Sequence, residues 1–145
     1  MASLLTTAGR LALCKSATAW DTATHKAMLL RPTYVPDVAH GTVNLISSYE
    51  VSGTGYAGGY GGSGRKTVTS PTVTTDSAGR VVFDAADLTW SSLDAGVVGF
   101  VAIVRETGGA DTSSVVVAIL TYPVTDPAGS DLVVTWASTG LFYLT

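Results

Sequence analysis

The sequence predicts an all-β fold: a single antiparallel β-sandwich or barrel-like domain with an N-terminal arm or short helix. Three observations carry this reading. From Lys26 onward, short runs rich in Val, Ile, Thr and aromatic residues are separated by clusters of Gly, Pro, Asp and Ser, the pattern of sandwiches and small barrels. Two of these runs, 97–105 and 114–122, are β-branched and almost continuously apolar, as strands covered on both faces are. At 145 residues the chain has the size of one domain and can bury roughly two-thirds of its unfolded surface without a staple.

The chain divides into an N-terminal segment, residues 1–19, and a β domain, residues 20–145. In the first, Leu4, Leu5, Ala8, Leu11, Ala12 and Lys15 fall at near-helical spacing, so an amphipathic helix or an arm is expected, with Gly9 weakening the helix. Residues 26–30 form a candidate strand closed by Arg31-Pro32, because the residue before proline is pushed to extended geometry and proline cannot donate to a ladder. A loop with Pro36 and Gly41 follows, and residues 43–48 suit a short helix or a strand equally. Beyond the glycine-rich stretch, residues 66–75 alternate Thr, Val and Ser around Pro71, which confines them to an edge strand or splits them in two.

Asp76-Ser77-Ala78-Gly79 reads as a hairpin turn into 80–84, where Val82 and Asp84 face oppositely to Val81 and Phe83. Leu88 and Trp90 share one face of a short strand, and with Phe83 they are expected to anchor the core. Residues 97–105 and 114–122 pair antiparallel across Gly108-Gly109-Ala110-Asp111. Pro123 and the Asp126-Pro127-Ala128-Gly129 turn separate them from a strand at 132–136, and residues 141–144 close the chain.

Composition restricts the function classes. Apolar residues make up 46% of the chain and charged residues 13%, about half the usual charged share of a globular protein. The longest uninterrupted apolar stretches, 115–120 and 101–104, fall far below the roughly 18 residues of a spanning helix, so no membrane partner is expected. The net charge of −3 is scattered, with only Arg65-Lys66 adjacent among the basic residues, so no nucleic-acid partner is expected either. Surplus apolar surface then points to burial against other subunits, and a homo-oligomer is expected.

The single cysteine, Cys14, excludes an internal disulfide and reads as a small buried hydrophobe. Leu11-Ala12-Leu13-Cys14 is not a lipidation box, which requires Gly or Ala before the cysteine.

Little in the chain suggests catalysis. Gly58-Gly59-Tyr60-Gly61-Gly62-Ser63-Gly64-Arg65-Lys66-Thr67 superficially matches a phosphate-binding loop, but Arg65 intervenes between Gly64 and Lys66, and strand-like Thr and Val follow where a helix is required. His25 and His40 lack a second His or Cys at ligand spacing, so no metal site is expected. Asp84, Asp87 and Asp94 flank Trp90 in the manner of paired glycosidase carboxylates, yet acidic turn residues are commoner in β proteins. The expectation is therefore a non-enzyme with no cofactor and no catalytic residue. Its partner contact is expected on a loop at 53–64 that is mobile without a partner, carried by Tyr56 and Tyr60, with Arg65 and Lys66 beside them.

The block Glu50-Val51-Ser52-Gly53-Thr54-Gly55-Tyr56 with Gly58-Gly59, followed by Val82-Phe83-Asp84-Ala85-Ala86-Asp87-Leu88-Thr89-Trp90, resembles a family of small virion structural proteins of tailed bacteriophages. Thr33-Tyr34-Val35-Pro36-Asp37 and Val133, Thr135 and Trp136 with Gly140-Leu141-Phe142 extend the resemblance over roughly residues 20–145. It implies a virion location and a protein that decorates or cements the capsid shell, with the major capsid protein or other virion proteins as partners. The alternative it leaves open is a tail or fibre component that binds a host receptor or glycan.

Overall fold

The structure is a computed structural model, and it describes residues 2–14 and 19–144. Lys15, and the side chain of Cys14 expected to be buried, lie outside the described residues. The elements follow the chain as β1 (Ser3–Leu5), α1 (Thr7–Cys14), β2 (Lys26–Leu30), β3 (Lys66–Thr67), β4 (Thr72–Thr75), β5 (Val81–Asp84), β6 (Leu88–Leu93), β7 (Val98–Arg105), β8 (Val115–Thr125), β9 (Ser130–Val134) and β10 (Phe142–Leu144). They build three open antiparallel sheets, ordered β1-β8-β7-β2-β3, β10-β5-β4 and β6-β9. The fold is thus the mostly β, antiparallel architecture that the sequence predicts, without barrel closure.

The five-stranded sheet occupies the middle because its central strands are apolar on both faces. Ala27 and Leu29 of β2, Val101 and Ile103 of β7 and Leu120 of β8 face a core completed by Phe83, Leu88, Trp90, Val134 and Phe142 of the two small sheets. Met28, Leu30, Ala102, Val104, Val116 and Ile119 face the other way, onto Tyr34, Val43 and Ile46. The sandwich therefore has strands over one face of its main sheet and connecting chain over the other. Residues 43–49 supply that cover as two single turns of 3₁₀ helix, Val43–Leu45 and Ser47–Tyr49. A β-bulge falls where Ile103 pairs with Ala118 and Val104 with Val116, skipping Val117. Consecutive residues Val117 and Ala118 consequently join the same core.

Two local features depart from the sequence reading, the N-terminal segment and Pro123, each for a physical reason. The N-terminal segment supplies a strand as well as a helix: β1 joins the main sheet with Ser3 opposite Leu120 and Leu5 opposite Ala118. Gly9 is no defect in α1, since a Cβ there would overlap the backbone of Val117; its absence lets the helix lie directly on β8. Thr6 ties the junction, its hydroxyl donating to the Val116 carbonyl and accepting from the Gly9 amide.

Pro123, expected to end its strand, lies inside β8. Along this edge Val117 accepts from Thr6 and Thr121 donates to Ala2, so position 123 is the next to face that side, where β1 has already ended. A residue with no N–H is tolerated there because no partner strand needs it.

At 66–75, Ser70 adopts φ 51° ahead of Pro71 and breaks the run into β3 and β4. The turn from Asp76 to Gly79 closes the β4–β5 hairpin, with Gly79 at φ 76°.

Trp90 is 1% exposed, and its indole N–H donates to the Gly64 carbonyl at 2.7 Å. Trp90→Ala should therefore lower stability by about 3–5 kcal/mol, the range for emptying a buried aromatic site. Denaturant unfolding checks this, and a variant as stable as the parent would remove Trp90 from the core.

Candidate functional site

The residues expected to carry a partner contact do not share one environment. Tyr60 is 42% exposed and Lys66 is half-buried on β3, opposite Ala27. Tyr56 and Arg65, however, are 1% and 2% exposed, which corrects their assignment as surface contacts. Both belong to an internal network that the sequence reading did not assemble.

Arg65 is its centre. Its Nε donates to Glu50 Oε1 at 2.9 Å and its Nη2 to Glu50 Oε2 at 2.8 Å, a bidentate pair. The same Nη2 and Nη1 donate to Asp111 Oδ2 and Oδ1 at 3.0 and 2.7 Å, a second bidentate pair, and Nη1 also reaches Glu106 Oε1 at 3.0 Å. All five guanidinium N–H groups are engaged. Lys26 Nζ closes the cluster on Glu106 Oε2 at 2.7 Å. Burial alone would lower the Arg65 pKa, but its hydrogen bonds to Glu50 and Asp111 outweigh it and raise it above its ordinary value. For Glu106, burial is likewise opposed by Lys26, the Gly61 amide and Arg65, and the carboxyl is held below its usual range.

The glycine-rich loop closes over this cluster. Gly59 N–H donates to Glu50 Oε2 at 3.0 Å and Gly61 N–H to Glu106 Oε1 at 3.2 Å. A loop of this composition can cradle a phosphate with its amides; here its amides cradle two of the chain's own carboxylates. Tyr56 sits beneath, donating its hydroxyl to Glu50 Oε1 at 2.9 Å and accepting the Leu29 amide at 3.0 Å. Burial first, and the Glu50 charge second, push its pKa up. Gly64 must lack a side chain, because a Cβ would overlap the Tyr56 ring. Tyr60 accepts the Gly109 amide at 3.2 Å, bridging to the β7–β8 connection. The loop is thus held by groups from β2, from the connection that follows β7 and from its own flanks.

The remaining chemical candidates are also engaged structurally. Asp84 Oδ1 accepts the adjacent Ala85 amide, and Asp87 Oδ1 accepts the amide of Trp136, 49 positions away, each at about 3 Å. His40 pairs with the Tyr34 hydroxyl at 2.9 Å. Among the described residues no group of three or more His, Cys, Asp or Glu side chains is placed to hold a metal ion, and no helix is long and apolar enough to cross a membrane.

His25 is 2% exposed beside Trp20, with ring centroids 4.7 Å apart. Its Nδ1 lies 3.0 Å from the Ala23 carbonyl, which fixes Nδ1 as the protonated nitrogen, while Nε2 has no partner. Burial lowers its pKa from 6.5 to about 4.

On the surface, a groove of about 530 Å³ runs between the end of β8 and β9, with Ala2, Tyr122, Pro123, Val133 and Ala137 in its lining. Tyr122 crosses beneath it, its hydroxyl donating to the Val133 carbonyl at 3.0 Å.

No protein-family model matches this chain, and neither a curated protein nor a solved structure is significantly similar to it. The class defined by fold and site is a three-sheet antiparallel β domain organised around a buried arginine.

Two signals within the sequence pointed towards the network. Arg65 directly follows the glycine run, and Glu50 opens the Glu50–Tyr56 block in a chain with few charges. Asp111 and Glu106 carried no signal, since their approach to Arg65 depends on how β7 and β8 pair.

Arg65→Met should destabilise the protein by about 3–5 kcal/mol, because it leaves three carboxylates clustered without their common cation. Tyr60→Ala should leave the melting temperature nearly unchanged. Thermal melts of the two variants separate a structural loop from an exposed contact.

Acid should weaken the fold. His25 is depressed on folding, so the unfolded chain binds the extra proton between pH 6.5 and about 4; stability is full above pH 6.5 and falls as the pH drops towards 4. Glu106 adds a loss of the same sign at still lower pH. The histidine contribution is about 3 kcal/mol. In His25→Asn, whose amide can replace Nδ1–H, melting temperature should fall less between pH 6.5 and 4 than in the parent. Equal slopes would exclude His25 as the source.

Proposed function

We propose that this chain is a structural protein of a tailed-phage virion that decorates or cements the capsid shell as an oligomer, by non-catalytic contacts. The observation that carries this reading is the pairing of sparse charge with large exposed apolar side chains. Val35, Val124 and Val133 are 73%, 68% and 51% exposed in a chain only 13% charged. Five charged side chains are drawn into the Arg65 network, leaving still fewer outside.

The resemblance to the virion family supports the same reading. Its two most distinctive blocks build the framework: Glu50 and Tyr56 hold the Arg65 network, while Phe83, Leu88 and Trp90 fill the core. The contact surface is then expected elsewhere, and the apolar groove at Pro123 and Val133, with Val124 beside it, replaces Tyr56 and Arg65 as the place where a neighbouring subunit seats.

Sedimentation velocity of the purified protein, with co-sedimentation on empty phage heads, tests this. Self-association or head binding is expected, and Val124→Lys with Val133→Lys should weaken it at least tenfold while the melting temperature stays within a few degrees. A clean monomer that fails to bind heads would overturn the proposal.

A further inference from the structure

On the outer face of the β10-β5-β4 sheet lies a polar cup of about 390 Å³, within the size range of small-ligand sites. Strand alternation builds it. In the β4–β5 ladder Thr72 stands opposite Asp84 and Thr74 opposite Val82, so these four share the face turned away from Phe83 and the core. The 138–140 loop forms one wall with Ser138 and Thr139, and the hairpin turn forms the other with Asp76 and Arg80.

The charges at that second wall are already satisfied. Arg80 Nε donates to Asp76 Oδ2 at 2.6 Å, and its guanidinium lies 4.2 Å from the centre of the Tyr143 ring. Asp76 Oδ1 also accepts the Ala78 and Arg80 amides. Apart from the outer guanidinium N–H groups of Arg80, what remains unengaged in the described lining is one carboxylate and a set of hydroxyls. Asp84 Oδ1 accepts only the adjacent Ala85 amide, its other oxygen accepts nothing, and the hydroxyls of Thr72, Thr74, Ser138 and Thr139 form no hydrogen bond to the protein. Val82 lies at 8% exposure between them.

We infer that this cup binds an uncharged saccharide. A carboxylate oxygen accepts sugar hydroxyls strongly, and neighbouring threonine and serine hydroxyls can donate or accept. An anionic ligand would meet a cup of net negative charge, since Asp76 offsets Arg80 and Asp84 is left over. A cation would find one half-buried carboxylate not already paired, with no second free ligand of the same charge beside it, which is a weak attractor. The assignment goes beyond the assembly reading and does not depend on it, because cup and apolar groove share no lining residue.

The test is a glycan array carrying neutral, sialylated and sulfated oligosaccharides plus an oligolysine spot, followed by calorimetric titration of the best neutral binder. The full chain should retain a subset of neutral glycans. Asp84→Asn and, separately, Thr74→Val should each weaken that binding at least tenfold with the melting temperature unchanged. If Asp84→Asn unfolds, Thr74→Val and Ser138→Ala decide, since neither side chain makes a structural hydrogen bond. Retention of no neutral glycan, retention of only charged spots, or undiminished binding by the folded variants would each overturn the assignment. Loss of head binding with glycan binding intact would overturn the assembly reading alone.

Discussion

The rest of the structure depends on the guanidinium of Arg65. It brings together Glu50, just after the 3₁₀ turns, Glu106, at the end of β7, and Asp111, in the connection to β8, and through their carboxylates it fixes the glycine loop. Such a buried cluster contributes little net stability compared with a well-packed apolar substitute, because removing several charges from water is costly. Its effect is on uniqueness. Each carboxylate accepts from a cation in a defined geometry, so any alternative packing of these connections leaves a charge buried without a partner.

The glycine loop shows how one local chemistry serves opposite ends. Backbone amides freed by glycine can bind an anion, and sequence alone does not reveal whether the anion is a ligand or a side chain. Here Glu50 and Glu106 arrive from 9 and 45 residues away along the chain and occupy the amides of Gly59 and Gly61. Tyr56, which looked like a rigid contact residue, is the support of that arrangement, and Gly64 is small because the tyrosine ring lies against it.

What could be read from the sequence follows the range of the forces involved. The limits of β2, the hairpin at Asp76 to Gly79, the shared face of Leu88 and Trp90 and the pairing of β7 with β8 are set by local pattern and turn chemistry, and they were legible. The strand at Ser3–Leu5 was not, because three residues carry no period and their partner lies more than a hundred positions away. The continuation of β8 through Pro123 was missed since proline normally breaks a ladder, and only knowledge of where β1 ends shows that no ladder bond is lost. In the site, Arg65 and Tyr56 were singled out for their chemistry but assigned to the wrong side of the surface. Burial of a charged group is decided by partners, and two of those partners are brought in by the central hairpin.

The pairing of β1 with β8 also sets an order of events. Ser3 pairs with Leu120, so β1 must wait until the more than one hundred residues between them have been made before it has a partner. A contact of such sequence separation closes a large loop and forms late and slowly. During that interval the β8 edge from Val117 to Thr121 is unpaired, and the identical strand of a neighbouring nascent copy fits it as well as the chain's own does. Wherever many copies are made close together, exchange of this N-terminal strand is thus an error of folding open to the chain, and equally a route to an interlocked oligomer.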